Sequence, residues 1–172
     1  MIQLIKNLLG LTRPERITKE QIEQLPPVKL CHRFIDGELA SGMEFREVFD
    51  DIMCAVELHG EVFNGGFNQY YYNTDGERSA RARNTFLRLG ADRIADVVKR
   101  ADEQYAACRS RLQAAWKDGT KKSFGIGYKE KLFDAFDDEY YALMKNDKQL
   151  YELIGEYIKR HPQEFLTDET EH

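Results

Sequence analysis

Residues 44–73 read EFREVFDDIMCAVELHGEVFNGGFNQYYYN. Phe45, Val48, Phe49, Ile52 and Val56 recur at three- and four-residue spacings, which is the period of one face of an α-helix. Asn64-Gly65-Gly66 interrupts that pattern, because glycine accepts positive φ and can end a helix and redirect the chain. Beyond it, Phe67, Tyr70 and Tyr71 fall at i, i+3 and i+4 and return an aromatic face to the core. Asn68, Gln69 and Asn73 are placed to bond backbone groups freed at such a turn. The stretch predicts helix, break and helix, with Asn64, Gly65, Gly66, Phe67, Gln69, Tyr70 and Asn73 as a structural motif rather than a contact surface.

The same period continues along the chain. Ile94, Val97, Val98, Ala101, Tyr105, Cys108 and Leu112 form one long stripe that Asp92 can cap and Asp118-Gly119 can stop. Leu132, Phe133, Phe136, Tyr140, Leu143 and Met144 form a third face. Leu150, Leu153, Ile154, Tyr157 and Ile158 form a fourth, ending at His161-Pro162 because proline cannot continue a helix. Shorter helices are expected at Glu77–Leu89 and at Thr18–Leu25, the latter opened by a Thr18-x-x-Gln21 capping box. Strand signals reduce to Tyr70-Tyr71-Tyr72, too short to anchor a sheet. The expected fold is all-α, a single-domain compact helical bundle of about six or seven helices. Pro26-Pro27 divides an N-terminal helical arm, residues 1–28, from the body, residues 29–172. Lys117–Gly127, with three glycines and three lysines, reads as a mobile loop.

Composition fits that fold. A chain of 172 residues with 10 Phe, 9 Tyr and 1 Trp has ample surface to bury, which argues against disorder. No apolar run reaches the roughly 18 residues of a membrane span, and Lys6 interrupts the apolar opening before a signal peptide could form. Cys31, Cys54 and Cys108 form no CxxC pair, so reduced thiols in a cytoplasmic protein are expected. The net charge of −5 excludes a strongly basic nucleic-acid binder, but it conceals segregation. The net charge is +2 over residues 1–16, −7 over 17–76, +6 over 77–122 and −6 over 123–172.

Catalytic constellations are not specific here. There is no HExxH motif, P-loop or GxSxG elbow, and Gly125-Ile126-Gly127 lacks the third glycine of a nucleotide fingerprint. Glu57-x-His59-x-Glu61 spreads around a helix instead of chelating, and Asp137-Asp138-Glu139 lies in a helical pattern unlike a calcium loop. No cofactor and no metal are expected, and no enzymatic role. The acids do arrange themselves. Taking about 100° per residue, Glu44, Glu47, Asp50, Asp51, Glu57 and Glu61 share an arc of roughly 140° opposite the apolar stripe. Glu130, Asp134, Asp137 and Asp138 cluster likewise on the third helix. The first arc, about 25 Å long, approaches the charge density of one DNA strand, and only a second stripe or a dimer partner would imitate a duplex.

Glu61 through Tyr70, with Asn73 and Gly76, resembles the signature of a bacterial DNA-mimic protein family. The likeness continues through Leu89-Gly90-Ala91, Phe133 to Tyr141, and Tyr157 to Phe165, covering about residues 45–166 and leaving residues 1–28 outside. It implies an all-helical, non-enzymatic dimer whose carboxylates occupy the DNA-binding surface of a helix-turn-helix repressor or a histone-like nucleoid protein. Asp50, Asp51, Glu57, Asp134, Asp137, Asp138 and Glu139 would then replace phosphates, with Glu47 and Glu61 completing the contact set. No membrane and no direct nucleic acid would be bound. One alternative is a protein-interaction module such as an immunity-type inhibitor of a toxin, which would use the Phe/Tyr-rich joint. The other is direct nucleic-acid binding through the arginines of 77–122, and which applies depends on where those cations point.

Overall fold

The structure, a computed structural model of the chain, describes residues 17–41 and 46–166. Glu44, Phe45 and the first sixteen residues of the expected arm lie outside the described residues. The described chain is all-α, with no strand. Its helices are α1 (Lys19–Gln24), α2 (Pro27–Ser41), α3 (Glu47–Thr74), α4 (Ser79–Arg88) and α5 (Asp92–Trp116). After these come two single turns, α6 (Lys121–Phe124) and α7 (Ile126–Lys129), then α8 (Asp134–Leu143), α9 (Asp147–Arg160) and a 3-10 turn at Pro162–Glu164. No helix among the described residues is long and apolar enough to cross a membrane.

The described residues fall into two compact units, one within residues 17–50 and 151–166 and the other over residues 51–150. In the first, α1 opens with the reciprocal capping box: Gln21 N–H donates to Thr18 Oγ1 at 3.2 Å and Thr18 N–H to Gln21 Oε1 at 3.1 Å. Phe34 is the centre of this core, edge-on to Phe165 at 5.0 Å and to Phe49 at 5.9 Å. Arg46 lies over the Phe34 ring at 5.7 Å and pairs with the buried Glu38. Gly155 of α9 allows the closest approach, since a Cβ there would collide with the Pro27 carbonyl.

In the second unit the core is aromatic. Phe67, Tyr70, Tyr71, Phe86, Phe133 and Tyr140 are each no more than 1% exposed. Gly90, at φ +75, turns α4 into α5, and α5 starts one residue earlier in effect than expected, with Ala91 at the cap and Asp92 inside the first turn. Gly119, at φ +62, follows the end of α5 as the Asp118-Gly119 stop requires. The stretch expected to be a mobile loop is instead folded. Thr120 Oγ1 accepts the Ser123 N–H at 3.2 Å to start α6, and Ser123 and Gly127 are buried. Gly127 is needed there because a Cβ would strike the Asn68 side chain. That tertiary requirement is invisible to local propensity, which registers only the loop-forming glycines.

Candidate protein interface around the glycine joint

Gly65 and Gly66 break α3 as their sequence requires, with backbone angles of (−163°, 33°) and (67°, −177°). The Gly66 conformation belongs to a region that only glycine visits readily. The break frees backbone groups in mid-chain, and each must find a partner. Phe67 N–H donates to Asp137 Oδ1 at 2.7 Å. Tyr128 Oη donates to the Gly65 carbonyl at 2.5 Å, and Tyr141 Oη to the Val62 carbonyl at 2.6 Å. The partners therefore come from α7 and α8, not from Asn68, Gln69 and Asn73 as expected. Asn68 donates instead to the Phe124 carbonyl at 3.2 Å. Gln69 and Asn73 both donate to Glu61, at 2.8 and 2.7 Å. Phe67, Tyr70 and Tyr71 are buried and belong to the core.

His59 is a second group whose role the sequence hid. It is 3% exposed, with Nδ1 at 3.1 Å from Tyr140 Oη and Nε2 at 2.9 Å from Asp147 Oδ1. Burial pushes its pKa below the usual value, so the ring is a neutral bridge from α3 to α8 and the start of α9. No three His, Cys, Asp or Glu side chains among the described residues converge to hold a metal.

Six arginines of the basic block pair with carboxylates of the chain. Arg81 Nε donates to Asp51 Oδ1 at 2.5 Å and Arg88 Nη1 to Asp51 Oδ2 at 2.8 Å. Arg78 pairs with Glu57 at 3.4 Å, and Arg111 with Glu130 at 2.6 Å. Arg100 bridges Asp96 and Glu139, each at 2.8 Å, and Arg109 grips Asp75. Each of these arginines pairs with a carboxylate of the chain itself while its side chain stays partly exposed.

The phosphate-mimicking set changes accordingly. Asp51 is only 8% exposed and held by two arginines, so it is an internal brace and not a phosphate stand-in. Asp137 is likewise removed from the set, because its carboxylate is committed to the Phe67 N–H beside Gly66. Glu57 and Glu139 each carry one arginine partner. Glu61, Asp134 and Asp138 carry no lysine or arginine partner among the described residues, and Asp134 and Asp138 act electrostatically on Asp137. Glu47 is exposed and Asp50 half-buried in the first unit. Asp137 of α8 reaches α3 at Phe67, just beyond the glycine joint.

Burial raises the Asp137 carboxyl to about 6, the Phe67 N–H opposes that shift, and the Asp134 and Asp138 charges add to it. The folded chain then keeps a proton that the unfolded chain loses between about pH 4 and 6, so this group makes stability fall as pH rises through that window. His59 acts in the opposite sense, since its unfolded form protonates first as pH falls below 6.5. Asp137→Asn keeps an acceptor for Phe67 and removes the titration. Urea denaturation should show its stability gaining on the unmodified chain from pH 4 to pH 6 and levelling above; an equal difference at pH 4 and pH 7 would refute the assignment.

No curated protein and no solved structure matches this chain. The DMP19-like protein family model matches residues 43–161, from before α3 through α9, which is more than half the chain. The chain therefore belongs to the DMP19-like protein family.

Proposed function

We propose that the chain is a non-enzymatic DNA mimic that occupies the DNA-binding face of a basic protein, either a helix-turn-helix repressor or a histone-like nucleoid protein. Family membership supports the class of activity. The observation that carries the reading is the distribution of partners. Six arginines of 77–122, Arg78, Arg81, Arg88, Arg100, Arg109 and Arg111, pair with the chain's own carboxylates, while Glu61, Asp134 and Asp138 have no lysine or arginine partner among the described residues. Gln69 and Asn73 fix Glu61 with neutral amides, which orient the carboxylate without cancelling it. Carboxylates held this way present fixed negative charge to the cations that otherwise meet phosphates, giving fast association that weakens with salt. One copy offers few such groups against a duplex, so the acting species is a homodimer that doubles them.

The test is the triple variant Glu61→Gln, Asp134→Asn, Asp138→Asn, assayed for release of labelled duplex DNA from a histone-like protein and from a helix-turn-helix repressor. These side chains brace little, so the fold should persist while release weakens by roughly tenfold or more. Release undiminished in the folded triple variant would overturn the reading and favour a partner that ignores the acids.

A further inference from the structure

A groove of about 500 Å³ in the second unit is not used by the mimic surface. Tyr72, Asp75, Tyr105, Gln113, Trp116 and Lys117 line it. Its aromatic wall is pre-ordered: Tyr105 stacks on Tyr71 with centroids 4.1 Å apart and planes within 6°, and Trp116 lies nearly parallel to Tyr105 at 6.3 Å. Tyr72 meets Trp116 edge-on at 5.3 Å. Asp75, at φ +54, locks the frame by accepting from Tyr105 Oη at 2.5 Å and from Gln113 Nε2 at 2.8 Å, with Arg109 neutralising it.

Two polar features of this groove lack an internal purpose. Trp116 is 9% exposed, yet its Nε1 is buried and donates to no acceptor, a costly condition for an indole N–H. Gln113 gives its amide N–H to Asp75, which leaves its oxygen as an acceptor. The rim is cationic. Lys117 is exposed, and Lys121 and Lys122 are exposed on α6, whose Phe124 packs edge-on against Tyr72 at 4.8 Å. The intervening Asp118 is occupied with the Thr120 N–H at 2.9 Å.

A ligand that answers the accessible features is planar and apolar on its faces, carries a donor on its edge for Gln113, and bears an anion a few ångströms away. We propose that the groove binds a nucleoside phosphate, either free or as the unit of a single-stranded nucleic acid. The base lies on Tyr72 at the edge of the Trp116 ring and donates to the Gln113 oxygen, and the phosphate meets Lys117. In a strand, the next phosphates follow Lys121 and Lys122. This site relies on lysines of 117–122 and uses none of the six arginines that pair with carboxylates.

Trp116 is the single tryptophan of the chain, so its emission reports on this groove directly. The full chain should be titrated with uridine monophosphate, adenosine monophosphate, an oligothymidylate of eight nucleotides and inorganic phosphate. The proposal expects a saturable change in Trp116 emission with the nucleotides, the oligomer or both, and none with inorganic phosphate. Response to the mononucleotides alone assigns the free ligand, and tighter, salt-sensitive response to the oligomer assigns the strand. Lys117→Glu with Lys122→Glu, both exposed and harmless to folding, should weaken the response at least about fivefold. Tyr72→Ala should weaken it further. No change in emission with millimolar nucleotide and oligomer, or the same change with phosphate alone, overturns the proposal.

Discussion

Gly66→Ala should cost about 3 kcal/mol or more in urea denaturation. Two independent effects add. The backbone at φ +67 and ψ −177 is strained for any residue with a Cβ, by roughly 1–3 kcal/mol. The new methyl would also collide with the Asp137 carboxylate and displace it from the Phe67 N–H, weakening a buried hydrogen bond. Gly90→Ala separates the two effects, because Gly90 also has positive φ but a Cβ there meets nothing within 4 Å. It should cost about 1 kcal/mol, the strain alone. Equal losses at the two positions would show that the Asp137 contact contributes nothing to the joint.

Asp51→Ala is expected to cost about 2 kcal/mol while leaving partner binding intact. The carboxylate ties two turns of α4 to α3 through Arg81 and Arg88, and Thr85 Oγ1 donates to the Asp51 carbonyl at 2.9 Å between them. Deleting the acid from a fully buried ion pair costs roughly 3–5 kcal/mol, but these arginines are 40% and 51% exposed and can rehydrate, so the loss is smaller. Denaturation of the variant reads the first half of this expectation and DNA release by the folded fraction reads the second. Unchanged stability with abolished release would return Asp51 to the contact surface.

These two positions also mark how far the sequence could be read. The helices were legible because their apolar residues repeat at the helical period, and the joint was legible because paired glycines after a long amphipathic run have few other uses. The capping box at Thr18 and the turn at Gly90 follow from local chemistry alone. The partners of the joint were not legible. Asp137 lies seventy residues from Phe67, and nothing in its helical neighbourhood separates it from Asp138, which keeps its charge for solvent. Asp51 was equally hidden: on a helical wheel it lies with Glu47 and Glu57, yet Arg81 and Arg88 arrive from another helix and turn it inward. Helical periodicity separates apolar from polar faces, but it cannot say which carboxylates a distant arginine neutralises. The folding of Lys117–Gly127 was missed for the same reason, since Gly127 exists to admit Asn68 and not to loosen the chain.

The modest net charge of −5 therefore reflects a division of labour. One set of acids braces the helices by pairing with the arginine block, and a smaller set around the glycine joint stays anionic. The most direct measurement of that account is competition between the full chain and fluorescently labelled duplex DNA for a histone-like protein, followed by anisotropy over a series of salt concentrations. The account predicts that the chain releases the DNA at low salt. It also predicts that the amount needed rises with ionic strength, as expected for charge-driven binding. Failure to release DNA at low salt at any concentration of the chain would contradict it.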